Sequence, residues 1–266
     1  MDSVIIDHNA KHISDENRRE YQQFILCLGG SCRFVFNEQT FEMKEGTCTV
    51  ILSNRFLGSV EPSDDFKCQI LSAEEGFLRQ SIPNHPYIVQ GMLSFYKHPV
   101  MELAEEEFKQ CRKHCQHIQK RAENKAYTFY EDMLRTMVRM FLLDLYDMHA
   151  RMHKSESLSK SAASIMSKFI DMLQEKEYRN NREVAYYAEK LCVVPKYLSE
   201  VSNKISGFSA SYWINRYTAH DIHEILNKNK NTPAEIAKMF HFTSTSYFNR
   251  YVKRYLGAYP SELRLN

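Results

Sequence analysis

Two sets of side chains in this 266-residue chain have the types and spacing to do chemistry. The first is Cys111, His114, Cys115 and His117. At helical spacing Cys111, His114 and Cys115 share a face, and thiolate with imidazole is a donor set for zinc or copper. A structural zinc site wants a fourth, more constrained ligand, and the segment is charged enough for these to be ordinary helix-surface residues. The second set is richer in hydroxyls, amides and bases. It runs Lys196, Ser199, Glu200 and Asn203, then Thr245, Ser246, Asn249, Arg250 and Lys253. Asn can pair with adenine and Arg with guanine through two parallel hydrogen bonds. Small hydroxyls allow a backbone to approach phosphate or base edges closely.

Other chemistry finds little support. No Ser sits in a glycine-rich elbow and no phosphate-cradling loop is spelled out by the eight glycines. No histidine stands between His12 and His85, which leaves a strand-rich first half without the His/Glu cluster of a metal enzyme. The reading is therefore not an enzyme: no catalytic residue, no metal ligand and no resident cofactor.

The second set must be positioned by helices, and the sequence repeats the means of doing so. Tyr197–Gly207 (YLSEVSNKISG) lies over Tyr247–Gly257 (YFNRYVKRYLG) at an offset of 50, and Ser211 and Ser261 keep that offset. Upstream, Tyr187-Ala188-Glu189-Lys190-Leu191 matches Ile236-Ala237-Lys238-Met239-Phe240 in character, the second connection being one residue longer. Each copy reads as a short helix, a tight connection and a longer helix closed by Gly in a left-handed cap. Ala188 and Ala237 are small where the second helix crosses, and Leu198 and Phe248 fill the space between the helices. The outward residues are the nine named above. An α-helix fits the major groove of DNA with its N-terminal side chains at the base edges. The run Thr243-Ser244-Thr245-Ser246 then opens a helix suited to lie against DNA, with helix N–H groups at hand for phosphate. A helical module that docks a protein through the same faces is the alternative.

The remaining sequence supplies context. Residues 160–266 carry 16 Lys and Arg against 10 Asp and Glu, a balance of +6, and residues 1–159 carry 19 against 23, a balance of −4. A basic half joined to an acidic half points to a polyanion partner for the basic one. With 33 aromatic residues there is material for two packed cores. The opening residues hold no secretory apolar run and no stretch is long enough to span a bilayer, so a cytoplasmic protein without membrane contact is expected. Seven cysteines without paired spacing read as reduced thiols.

The expected fold is α+β in two domains. Residues 1–150 form a sensor or dimerisation domain, with cupin-like β-barrel strands over about 20–95 and helices over about 100–150. Short strands are read at 24–27, 32–36, 40–43, 48–52 and 66–71, punctuated by Gly29-Gly30, Asn37-Glu38, Glu45-Gly46 and Pro62-Ser63-Asp64-Asp65. Residues 101–123 read as one solvent-exposed helix. Over 127–150 an apolar stripe of Leu134, Met137, Val138, Phe141, Leu142, Leu145 and Tyr146 predicts burial against its own domain or a second subunit. Residues 151–160 (RMHKSESLSK) are the expected linker, and 161–266 an all-α domain with two helix-turn-helix units.

Residues 182–264 resemble the DNA-binding domain of the AraC/XylS family of bacterial transcription regulators. In the second unit the resemblance lies in Ala234-Glu235-Ile236-Ala237, Phe242, Ser246-Tyr247-Phe248, Lys253-Arg254-Tyr255, Gly257, Tyr259-Pro260-Ser261-Glu262 and Arg264. In the first it lies in Ala188-Glu189-Lys190-Leu191, Pro195, Tyr197-Leu198-Ser199 and Gly207. The resemblance implies a long helix, about Ala210 to Leu226, spacing two recognition helices for successive major grooves. It also implies double-stranded DNA as partner, with RNA polymerase, a small-molecule effector and a second copy of the chain as further ones. The chain departs from the family pattern at His241 and Cys192-Val193, where glycine is usual, at Thr218 in the linker helix, and at Glu200. Strand rhythm alone makes residues 20–95 similar to the family's cupin-like sensor domains.

Overall fold

The computed structural model describes residues 2–18, 21–82, 85–153, 159–227 and 230–263. The chain forms two compact units, Met1–Ser157 and Leu158–Asn266. Residues 154–158 of the expected linker, and Arg264, lie outside the described residues. Among the described residues no helix is long and apolar enough to cross a membrane.

The first unit is built on β1 (Val4–Asp7), β2 (Tyr21–Gly29), β3 (Ser31–Phe36), β4 (Gln39–Lys44), β5 (Thr47–Ile51), β6 (Leu57–Pro62), β7 (Lys67–Glu74) and β8 (Val100–Glu102). The strands form a five-stranded sheet in the order β1-β7-β2-β5-β8 and a three-stranded sheet in the order β4-β3-β6, all pairs antiparallel. In place of the expected cupin-like barrel the strands form two separate antiparallel sheets. Asn37 and Glu38, with φ of 53° and 67°, form the two-residue turn of the β3–β4 hairpin. Left-handed backbone at both positions matches the twist of the flanking strands.

Among the described residues four α-helices complete the unit: α1 (Glu75–Ser81), α2 (Pro86–Ser94), α3 (Glu105–Glu123) and α4 (Tyr130–Met152). The first two occupy the end of the region expected to be strands. The strands β1, β6 and β8 were not expected. The exposed helix expected at 101–123 is corrected as well, because α3 buries Cys111, Cys115 and Ile118 completely. On α4 the stripe Leu134, Val138, Phe141, Leu142, Leu145 and Tyr146 is buried within its own unit. Phe141 meets Phe24 of β2 edge-on, with ring centroids 5.3 Å apart.

The second unit is helical: α5 (Lys160–Gln174), α6 (Val184–Lys190), α7 (Pro195–Ser206), α8 (Ala210–Asn227), α9 (Pro233–Met239), α10 (Thr245–Leu256) and α11 (Pro260–Leu263). Trp213, Phe169, Tyr187, Phe240 and Phe248 fill its core. Asp221 of α8 lies within this unit, 6 % exposed. Burial pushes its carboxyl up, but two hydrogen bonds from Arg179, at 2.6 and 2.8 Å, outweigh that and hold it below the usual value, with Lys176 and the Tyr178 hydroxyl adding to the effect.

Near the end of α4, His149 is 1 % exposed, its Nδ1 2.7 Å from the Tyr87 hydroxyl and its ring against Phe95 and His153. His153 in turn stacks on His98. Burial pushes the His149 pKa down to about 3, and the neighbouring His153 and His98 push in the same direction. The unfolded chain takes up a proton near pH 6.5 that the folded state refuses, so this stability is complete above that pH and falls as pH drops toward 3. From pH 7 to pH 5 the first unit should lose about 2 kcal/mol through this group. Urea unfolding of the parent and of His149→Leu at both pH values checks it: the variant should show the smaller loss between them.

Candidate nucleic-acid interface

The last carbonyls of a helix need donors, and α6 and α9 find them in the same way. After α6, Val193 N–H donates to the Ala188 carbonyl at 2.9 Å and Cys192 N–H to that of Glu189 at 3.0 Å. After α9, Phe242 N–H donates to Ala237 at 2.9 Å and His241 N–H to Lys238 at 3.1 Å. These are Schellman turns, which require a left-handed residue where the chain reverses. Cys192 and His241 take that conformation with φ of 55° and 51°. They are two of the positions where glycine is usual in the resembling family.

Each turn delivers a twelve-residue helix, α7 or α10, closed by a glycine with φ of 79° (Gly207 and Gly257). The offsets expected from the sequence hold: 49 residues between α6 and α9, and 50 between α7 and α10. Ala188 and Ala237 are buried beneath the crossing helices, and Leu198 and Phe248 are completely buried between them. The two N-termini differ. Ser244 Oγ accepts from Tyr247 N–H at 3.1 Å, capping α10, whereas α7 begins at Pro195 after Val194 with no side-chain cap. Pro at the first position has no N–H to satisfy and a φ already suited to the helix.

All nine expected site residues stand on the outer side of these helices. Lys196, Glu200, Asn203, Thr245, Ser246, Arg250 and Lys253 are exposed, and Ser199 and Asn249 half-buried. Lys196, Ser199, Glu200 and Asn203 line one open depression of about 490 Å³ together with Lys204 and Ser209. The last two were not singled out in the sequence, although Lys204 lies one turn beyond Glu200 on the same helix. Within the set, Lys196 is 3.8 Å from the Glu200 carboxylate. Lys253 is 3.9 Å from that of Glu262 and its ammonium lies 5.0 Å from the centre of the Tyr259 ring. The Asn249 Oδ1 is enclosed and has no hydrogen-bond partner among the described residues. Two large aromatics missed by the sequence reading also face solvent at equivalent positions, Tyr197 and Tyr247.

The Cys111–His117 cluster is divided by the fold. Cys111 and Cys115 are completely buried, and burial raises the pKa of each to about 12. His114 turns to Asp144 at 2.7 Å, and His117 is exposed. Among the described residues no three His, Cys, Asp or Glu side chains are placed to hold a metal ion.

Two such turns, each leading from a short helix to a longer one with a polar outer face, define a pair of helix-turn-helix units. Residues 187–266 match the family model described as a helix-turn-helix domain. Among curated proteins none matches the chain. Among solved structures, ToxT from Vibrio cholerae with a bound unsaturated fatty acid is similar at 12% identity and a TM-score of 0.48, over 92% of this chain and 87% of that one. ToxT from Vibrio cholerae O395 is similar at 12% and 0.47, over 100% and 98%. The AraC-like transcriptional activator CuxR is similar at 10% and 0.39, over 81% and 75%. The helix-turn-helix domain rests on the family match and the two turns.

The left-handed conformation costs a residue with a Cβ about 1–2 kcal/mol, and glycine in its place loses about 0.5–1 kcal/mol of chain entropy. Both side chains are exposed. Cys192→Gly and His241→Gly should therefore each stabilise the domain by about 0.5–1 kcal/mol. Urea unfolding of the two variants beside the parent is the check, and a lower midpoint for either would mean that its side chain makes a contribution of its own.

Proposed function

We propose that the protein is a sequence-specific DNA-binding transcription regulator whose α7 and α10 enter successive major grooves, under the control of a small molecule at the first unit. One observation carries the DNA reading: a helix-turn-helix unit occurs twice, each copy presenting the N-terminal half of its second helix to solvent. The 18-residue helix α8 between them is about 27 Å long, comparable to the roughly 34 Å of one DNA turn. The net charge of +6 over residues 160–266 suits a polyanion. In this arrangement Arg250 reads a base, Thr245 and Ser246 approach the backbone, and Lys253 meets a phosphate.

Control by a small molecule is supported by polar groups in the first unit. On β2 and β5, Gln23 and Thr49 face away from the side on which Phe24 meets α4. Both are completely buried, and Gln23 Oε1 and Thr49 Oγ1 have no hydrogen-bond partner among the described residues. A buried acceptor or hydroxyl without a partner is a place for a ligand's hydrogen bond. For a homodimer, the buried stripe of α4 is already used within its own unit. The large apolar side chains this helix leaves exposed are Met140, Leu143 and, at its end, Met152. RNA polymerase enters the proposal through the family resemblance alone, and a non-enzymatic role follows from the same resemblance.

Binding to a duplex recovered from a random-sequence pool, measured by fluorescence anisotropy at two salt concentrations, tests the proposal. Steep weakening with salt is expected through counterion release; a protein-docking module would bind no duplex specifically. Arg250→Ala should weaken binding by about 1–3 kcal/mol and relax preference at one base position. Lys253→Ala should weaken binding to all sequences alike and lower the salt slope by about one. Both variants should melt like the parent, since neither side chain is buried. If neither alters binding while the parent binds, α10 is not the reading helix.

A further inference from the structure

We propose that Arg182 is a positioning residue that locks the two helix-turn-helix units to one another and so sets the separation of their recognition helices. This deepens the reading of α7 and α10 as the DNA-facing pair. Arg182 lies in the loop that enters α6. Its Nη1 donates a hydrogen bond to the Phe240 carbonyl, at the end of α9, and its guanidinium carbon lies 4.0 Å from the centre of the Phe242 ring. Both partners belong to the turn from which α10 departs, 58 residues along the chain. A single side chain therefore joins the entrance of the first unit to the elbow of the second.

Three features make this contact specific. The guanidinium is half-buried, and burial lowers its pKa. Among the described residues no carboxylate lies within ion-pair distance of it, and the groups that directly face the guanidinium come from the second helix-turn-helix unit. One of these is a helix C-terminal carbonyl, where the helix dipole favours a cation. The other is an aromatic face, to which guanidinium binds by cation–π attraction. The loop is itself held. Asn181 Oδ1 accepts from Glu183 N–H at 2.9 Å, and the Tyr187 hydroxyl donates to the Asn181 carbonyl at 3.2 Å. Just upstream, Tyr178 stacks on the Phe240 ring, and Arg179 lies 5.4 Å above it while bonded to Asp221 of α8. Phe240 is thus gripped at its ring by residues 178 and 179 and at its carbonyl by residue 182.

Both units touch α8, but α7 and α10 need more than a common support to keep a fixed spacing. Side chains packed on one helix allow each unit to rock about it, and a direct bond between the units removes that freedom. Fixed spacing matters because two linked contacts bind tightly only when both fit at once.

The test has two arms on the full chain. In the first, Cys192→Ser removes the exposed thiol, Lys196→Cys and Arg250→Cys carry nitroxide labels, and the inter-label distance distribution is measured by pulsed electron resonance, with and without Arg182→Ala. A distribution that broadens or shifts supports the proposal, and an unchanged one overturns it whether or not the protein binds DNA. In the second, Arg182→Ala and Arg182→Lys, otherwise unaltered, are titrated with the selected duplex and with duplexes in which one half is randomised. Arg182→Ala should lower affinity for the complete duplex tenfold or more and change that for the half-randomised duplexes less than twofold. Arg182→Lys, which keeps the cation over Phe242, should lie between. Equal losses on complete and half-randomised duplexes would overturn the proposal. Should Arg182→Ala fail to fold, Phe242→Leu, which keeps an apolar side chain and removes the ring face, takes its place in both arms with the same expectations.

Discussion

A helix cannot end inside a folded domain without donors for its last carbonyls, and the C-terminal domain meets this constraint twice with one device. The turns after α6 and α9 return two N–H groups each to the preceding helix, at Ala188 and Glu189 and at Ala237 and Lys238. The left-handed residue this demands reverses the chain sharply, so the next helix must cross the one just ended. The crossing is close because Ala188 and Ala237 have only a methyl group there, and Leu198 and Phe248 then fill what space remains. Once the second helix is anchored from beneath, its opposite side has only solvent to face. The polar outer surface of α7 and α10 follows from how the shorter helices end.

This explains which parts of the molecule were legible in the sequence. The twofold pattern of small residue, turn, apolar plug and terminal glycine is local, so spacing alone revealed it, and the seven- and twelve-residue helices fall at the expected offsets. The expected site residues lie outside for the same reason: on a twelve-residue helix the buried positions leave no choice of outer face. The sequence is least legible where the structure depends on distant partners. β1, β6 and β8 are short strands at sheet edges, with three to six residues each. Their identity comes from pairing with β7, β3 and β5, not from a pattern of their own. The helix at Glu105–Glu123 reads as exposed because its charges outnumber its apolar groups. Its buried side is made of two cysteines and Ile118, small enough to be mistaken for a metal-binding pair. Burial lifts both thiols far above neutrality, which suits packing better than ligation.

Arg182 shows a further limit of local reading. It precedes the first unit, and the groups it contacts lie at the turn of the second. Nothing in the immediate sequence marks it apart from other basic residues. Its partners become visible only when α9 and the loop before α6 are brought together around Phe240. The buried Asp221 works at the same junction. By accepting hydrogen bonds from Arg179 and Tyr178 it fixes the start of this loop to α8.

The two units repeat in backbone but not in charge, and the difference bears on how they would divide the work at DNA. On α7 the cation of Lys196 sits opposite Glu200 one turn on, so the N-terminal half of that helix presents a nearly balanced pair. A phosphate approaching Lys196 also approaches a carboxylate, which offsets part of the attraction. On α10 the exposed Arg250 and Lys253 are followed by Arg254, and the nearest carboxylate, Glu262, is held 3.9 Å from Lys253 by a different helix. Ser244 caps this helix with its own hydroxyl, and Thr245 and Ser246 begin it without acidic neighbours. The second unit therefore has the stronger field for phosphate and the freer donor for a base. In the proposed reading the first, with its open depression between Lys196 and Lys204, would rely more on shape and hydrogen bonding. A weaker first contact gains most from being held at a fixed distance from a stronger second one, because it then binds as part of the same event. If the contacts around Phe240 hold the two helices at a fixed distance, their charge asymmetry and that junction would act together.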